Sequence, residues 1–149
     1  MPDRESLYAA LPVQILSLSR SWRQLADRVL ASLDISNSTG YALLHLERLG
    51  DGVRQSDLAR EIGITEASLV RTLQHLERVD LVCRETDPED GRAKTLRLTD
   101  EGRRLARLID ARLIELRREL LHDMSSEDLQ TTLDILERVG ARIAERRPR

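Results

Sequence analysis

Residues 56–79, SDLAREIGITEASLVRTLQHLERV, place two helical patterns almost end to end, and that junction constrains the fold more than any other feature of the chain. The first pattern is short, spanning residues 56–62, and Gly63 ends it. The second opens on Thr65, whose hydroxyl is suited to capping free amides, and turns Leu69, Leu73 and Leu76 to one buried face. With so little chain between them the two helices must cross in contact. A small side chain is needed at the crossing and a glycine at the turn. Ala59 and Gly63 stand four apart and Leu69 follows six later, which is the spacing of a helix-turn-helix.

Directly after the second helix, residues 81–86 and 93–98 read as strands around the turn Asp87-Pro88-Glu89-Asp90-Gly91. A hairpin there converts the unit into a winged helix, whose tip lies beside a DNA backbone or in a minor groove. This gives Arg92, at the end of an acidic turn, a destination. Its alternative is an ion pair with Asp90 or Glu89, which is compatible with the first. Asp87, Pro88 and Glu89 read as turn chemistry that keeps the rest of the tip away from a polyanion, so that the hairpin presents one cation.

Longer helices flank this centre. Leu11, Ile15, Leu18, Trp22, Leu25 and Val29 alternate at spacings of four and three, a heptad stripe, with Pro12 implying a kink or a helix that begins near it. A second helix starts after Ser36, Asn37 or Ser38 and stops at Gly50-Asp51-Gly52. Thr99 with Asp100 and Glu101 forms a capped, charge-matched start for a long helix carrying Leu105, Leu108, Ile109, Leu113, Leu116 and Leu120. The last helix starts at Ser125 or Ser126 and carries Leu129, Leu133, Leu136, Val139 and Ile143. Such stripes at both ends are longer than a monomeric winged helix of this size can cover, so they are expected to bundle across a two-fold axis, the alternative being a bundle within one chain. The fold class is therefore mainly α with a small β-hairpin. Its 149 residues form a single winged-helix domain, with residues 36–102 as the DNA-binding lobe and residues 6–34 and 104–146 as a helical dimerisation lobe.

Composition narrows the function. Tyr8, Trp22 and Tyr41 are the whole aromatic set, so the core is aliphatic. The lone cysteine, Cys83, excludes an intramolecular disulfide and reads as a buried thiol on a strand; with no membrane-length apolar run and no signal-peptide pattern, the expected location is the cytoplasm. The net charge of -2, from 24 basic and 26 acidic residues, means that any polyanion site must be local. At about 100° per residue, the side of the second helix opposite Leu69, Leu73 and Leu76 carries Ala67, Ser68, Arg71, Gln74, His75 and Arg78. Recognition helices enter the major groove by their first turns, so Thr65, Ala67, Ser68 and Arg71 are the candidates nearest to bases. Arg71 suits a bidentate pair with guanine, and Ser68 a base or a phosphate. Gln74, His75, Arg78 and the wing's Lys94 suit the backbone. A polar outer face alone is what any amphipathic helix shows; the turn and the wing beside it are what point this one to DNA.

The runs IGITEASLVRTLQHLE, DPEDGRAK with LRLTDEGR, and LLHDMSSEDL together resemble the MarR family of bacterial transcription regulators, and most closely its SlyA branch. The resemblance implies that Arg92, in the Asp-x-Arg wing motif, enters the minor groove and that Asp90 supports the wing, commonly through basic neighbours. It implies a homodimer on a pseudo-palindromic double-stranded operator, acting as a repressor rather than an activator. It also implies a small-molecule effector, an aromatic carboxylate, in a cleft lined by the first, second and fifth helices; Trp22, Arg23, Tyr41 and His45 supply suitable chemistry, although Trp22 also fits the heptad core. That branch usually carries a second arginine at Gly91 and a tryptophan at Gly40. Peroxide-sensing relatives keep their reactive cysteine in the first helix, where this chain has none.

No catalytic or metal motif competes: His45, His75 and His122 are scattered, and no HExxH, G-x-S-x-G or P-loop occurs. No enzyme activity, cofactor or metal is expected. The alternatives left open are a ligand-insensitive architectural or antisilencing DNA binder and a helical interaction module that binds no DNA.

Overall fold

The structure, a computed structural model, describes residues 1–146. The elements run α1 (Arg4–Ser32), α2 (Asn37–Leu49), β1 (Val53–Arg54), α3 (Gln55–Ile62), α4 (Glu66–Arg78), β2 (Val82–Thr86), β3 (Lys94–Leu98), α5 (Asp100–Leu121) and α6 (Ser126–Glu145). They belong to two compact units, Met1–Ile114 and the chain from Glu115 onward.

Most helices start where a short polar side chain accepts an amide hydrogen that the helix itself leaves free. Ser36 accepts from the Thr39 amide at 3.3 Å, Thr65 from Ser68 at 3.1 Å, Thr99 from Gly102 at 3.0 Å and Ser125 from Asp128 at 3.0 Å. Each such cap stabilises its helix by about 1 kcal/mol. Of the two expectations that Pro12 raised, a helix that begins near it is corrected: α1 is already helical at Arg4 and runs through Pro12. Asp3 supplies the missing start, accepting the Ser6 amide at 2.7 Å. Proline removes only the bond to the carbonyl of Tyr8, a residue 56 % exposed, so the loss falls on a wet turn rather than in a core.

The first unit is held by aliphatic packing. Leu30 of α1, Leu43 and Leu46 of α2, Leu58 of α3, Leu69, Leu73 and Leu76 of α4, Leu96 of β3 and Ile109 of α5 are fully buried in one cluster. Burying each side chain of this kind stabilises the fold by about 1.5–3 kcal/mol. Ala59 is buried at the α3–α4 crossing, and Gly63 takes the left-handed conformation at φ 81° that ends α3, its amide donating to the Ala59 carbonyl at 2.9 Å.

The sheet has one more strand than the sequence suggested. Its order is β1-β3-β2, all antiparallel, with Val53 opposite Leu96 and Arg54 opposite Thr95. Two residues are too few for any alternation to mark β1, but pairing with β3 ties the start of α3 to the wing. The wing strands pair from Val82 opposite Leu98 to Thr86 opposite Lys94. Alternation buries Val82 and leaves Cys83 partly exposed, which corrects the expectation of a buried thiol.

Gly102 locks the wing to α5. A Cβ at that position would collide with the carbonyl of Leu81, the same oxygen that accepts the Thr99 amide at 3.1 Å. The hydroxyl of Thr99 donates to the Asp80 carbonyl at 2.7 Å, bracing the junction from the other side. In the second unit α6 has no buried residue: Leu133 is 60 % exposed and Ile143 55 %.

Candidate nucleic-acid interface

The burial of Leu69, Leu73 and Leu76 leaves Ala67, Ser68, Arg71, Gln74, His75 and Arg78 of α4 exposed, as the helical period requires. Thr65 and Ser68 are tied together at the first turn, their hydroxyls 2.8 Å apart. Arg78 donates to the Gln74 carbonyl at 3.4 Å and so lies along its own helix. Among the described residues Arg71 makes no ion pair or side-chain hydrogen bond, which leaves its planar fork of donors available to a partner outside the chain.

The wing tip is organised by its two aspartates in different ways. Asp90 accepts the backbone amide of Arg92 at 3.0 Å, and its carbonyl accepts the amide of Ala93 at 2.9 Å, so its support for the tip runs through the main chain. Asp87 serves the turn from a buried position: it is 7 % exposed. Its Oδ1 accepts the Glu89 amide at 2.8 Å, and its Oδ2 accepts from Nε of Arg54 at 2.9 Å and lies 2.8 Å from Nη2 of the same guanidinium. The Glu89 amide, and after it the Arg54 guanidinium, hold the Asp87 carboxyl below the usual carboxylate range against the opposing effect of burial. That negative charge is thus neutralised from inside the protein. Lys94 donates to Thr86 at 2.9 Å, and Arg97 pairs with Glu85 at 3.2 Å across the strands. Arg92 is exposed and, among the described residues, its guanidinium has no ion pair, neither with Asp90 nor with Glu89. Gly91 is exposed as well, and a Cβ there meets nothing within 4 Å.

The model of the MarR family matches residues 33–93, from the end of α1 to the wing. Over 91 % of this chain and 99 % of the other, the crystal structure of transcriptional regulator PA3341 superposes with a TM-score of 0.83 at 32 % sequence identity. This chain belongs to the MarR family. MepR, a transcription regulator of the Staphylococcus aureus multidrug efflux pump MepA, matches 87 % of this chain and 95 % of its own with a TM-score of 0.67 at 27 % identity. The S. aureus MepR–DNA complex matches 95 % of this chain and 98 % of its own with a TM-score of 0.71 at 26 % identity.

In this MarR-family member the residues singled out for an effector separate into two groups. Arg23 and Tyr41 come together, the guanidinium 4.3 Å from the ring centroid, and line a cavity of about 240 Å³ with Asn37, Ser38, Ile64 and Thr72. Tyr41 donates to Asp27 at 2.8 Å, and burial followed by that bond pushes its hydroxyl pKa up to about 12. Trp22 is half-buried on α1 but does not line this cavity, and neither does His45 or any residue of α5. His45 sits between α2 and α3, with Nδ1 4.0 Å from Glu61 and without a hydrogen-bond partner. Burial first, and the charge of Arg48 next, lower its pKa below the ordinary imidazole value. The space beside Gly40, where the SlyA branch usually has an indole, is filled by the side chain of Leu30.

Sequence reasoning missed Arg54, and it read Asp87 as turn chemistry without the pair that joins the two. Asp87 carried a faint signal, since an aspartate two residues before a free amide in a turn is a ready side-chain cap. Arg54 carried none, because the strand that delivers it is two residues long. Among the described residues no group of three or more His, Cys, Asp or Glu side chains could hold a metal ion, and no helix is long and apolar enough to cross a membrane.

Proposed function

We propose that this MarR-family regulator binds an inverted-repeat operator as a homodimer, represses transcription there and is released by a small aromatic carboxylate. The observation that carries the reading is the state of the charges on the winged helix. Asp87 is neutralised by Arg54 and Asp90 is turned onto the main chain, whereas Arg71 on α4 and Arg92 on the wing tip have no partner among the described residues. A chain with net charge -2 thereby presents two local, unsatisfied guanidinium groups, one suited to base edges in a major groove and one to the narrow minor groove beside it. Thr65, Ala67 and Ser68 would lie near the first bases, and Gln74, His75 and Lys94 near the backbone. MepR, at 26 % identity, has been captured on DNA with the same fold, which supports the reading by analogy.

The homodimer rests on uncovered apolar surface. Leu7, Leu11 and Leu18 on α1 are 52, 42 and 62 % exposed, and Leu133, Leu136 and Ile143 on α6 are 60, 41 and 55 % exposed. Stripes of this kind mark an association surface. We assign residues 6–34 and 104–146 to dimerisation and residues 36–102 to DNA binding. The effector reading rests on the cavity at Arg23 and Tyr41, which offers a cation for a carboxylate and a ring for stacking. At about 240 Å³ it suits a compact ligand. The SlyA-like branch is supported by the wing sequence, with Gly40 and Gly91 as departures from it.

A gel shift on the DNA upstream of the protein's own coding sequence tests this. A specific shift reversed by salicylate supports the complete reading. A specific shift that no aromatic acid reverses selects an architectural or antisilencing DNA binder, and no shift at any salt concentration selects a helical interaction module.

A further inference from the structure

We propose that Arg54 is a positioning residue for the wing: from the start of α3 it grips Asp87 and fixes the direction in which Arg92 is presented. The inference rests on the DNA-binding reading above and deepens it.

Arg54 occupies a junction. Its backbone closes β1 opposite Thr95 and is the residue that precedes α3, the helix that braces α4. Its side chain leaves that point and ends on Asp87, the first residue after β2. Nε donates to one carboxylate oxygen at 2.9 Å and Nη2 lies 2.8 Å from that same oxygen, so a charge-assisted hydrogen bond and an ion-pair contact hold the guanidinium at Asp87. The other oxygen holds the Glu89 amide, and the Asp87 amide donates to the Ala93 carbonyl at 3.0 Å, closing the neck of the loop. Arg92 is therefore one residue from a neck whose anchor is attached to the helix-turn-helix rather than to the hairpin alone. A two-stranded ribbon twists readily on its own. An ion pair from α3 to the neck couples the ribbon's direction to the unit that carries α4, so that both reading elements meet DNA without a prior ordering step. Arg54 is no better explained as a direct DNA contact, because its charge is already matched by a carboxylate that is 7 % exposed.

The test is a double-mutant cycle. The probe is a fluorescein-labelled duplex enriched by the wild-type protein from a random-sequence pool, titrated by anisotropy with wild type, Arg54→Gln, Arg92→Ala and the double variant. Arg54→Gln should weaken binding by between about twofold and thirtyfold, the range of coupling through packed networks. In the Arg92→Ala background the same substitution should cost nothing further, since Arg54 acts through Arg92. Arg54→Lys, which keeps the cation but loses the Nε–H bond to Asp87, should recover part of the loss. In the free protein, amide exchange at Glu89 and Ala93 should quicken in Arg54→Gln while α4 stays protected, a readout that also establishes that the variant is folded. Equal losses in both backgrounds, or no loss in either, would overturn the positioning role while leaving DNA binding intact. Failure of the wild type to enrich or bind any duplex would overturn both readings together.

Discussion

Replacing Arg92 with alanine separates the wing's chemistry from its architecture. The side chain has no ion pair among the described residues, and the part of the residue that shapes the tip is its amide, which donates to Asp90 at 3.0 Å and survives in alanine. Fold, tip and dimer should therefore be unchanged, as judged by circular dichroism and sedimentation. The DNA term should not be. A dimer carries two copies, and each guanidinium that neutralises a phosphate releases counterions, at about 0.9 units of log–log salt slope per contact. Loss of both flattens the slope by about 1.8, so that raising salt from about 50 to about 200 mM should cost the wild type roughly twelvefold more affinity than the variant. Anisotropy titrations across that range measure the difference directly. Changing the flanking A·T pairs to G·C should also hurt wild type more than the variant, because a narrow A·T groove concentrates negative potential. A variant that binds as tightly as wild type with the same salt slope would refute the reasoning and show that Arg92 does not reach DNA.

Other perturbations probe the rest of the account. Leu18→Glu changes a residue that is 62 % exposed in the monomer, so the fold should hold; placing an unpaired charge on each side of a dimer seam costs several kcal/mol per ion, and sedimentation at micromolar concentration should find monomers. A variant that stays dimeric contradicts the assignment of that face. Gly102→Ala drives a methyl into the Leu81 carbonyl, and because a backbone oxygen cannot rotate away the cost should reach the upper end of overpacking, about 3 kcal/mol, or roughly 6–12 °C in Tm. A thermal melt indistinguishable from wild type would show that the junction yields. For His45 the folded-state pKa is lowered, so as pH falls below the ordinary value of 6.5 the unfolded chain takes up the proton first and stability declines until the folded protein protonates as well. Urea midpoints measured between about pH 7.5 and 5 should fall less steeply in His45→Gln than in wild type. Parallel curves would mean that another group governs the acid side.

What the sequence made legible follows from the range of the interactions involved. Caps at Ser36, Thr65, Thr99 and Ser125, the left-handed stop at Gly63 and the buried face of Leu69, Leu73 and Leu76 are local or periodic, and each leaves a trace over a few neighbouring residues. The start of α1 was obscured because Pro12 is a strong local signal, whereas a cap by Asp3 on a surface helix is a weak one. β1, the Arg54–Asp87 pair and the collision that forbids a side chain at Gly102 are contacts between residues far apart in the chain, and no spacing announces them. The same holds for the cavity: Arg23 and Tyr41 stack across two helices, while Trp22 and His45, chemically as suitable, face elsewhere. Residue type proposed four candidates, and only packing could say which of them share a space.

The central claim is that two α4 helices and two wings of one dimer read one symmetric DNA site, and selection from a random-sequence duplex pool tests it most directly. The wild-type protein should enrich an inverted repeat whose half-sites are centred about one helical turn, or roughly 10 base pairs, apart, with A·T pairs at the flanks. Arg71→Ala should enrich the same spacing and flanks but lose preference at one position in each half-site, since a bidentate base contact is worth about 1–3 kcal/mol of discrimination. Enrichment of an unsymmetric site, of no site at all, or of an identical sequence by the Arg71 variant would contradict the account.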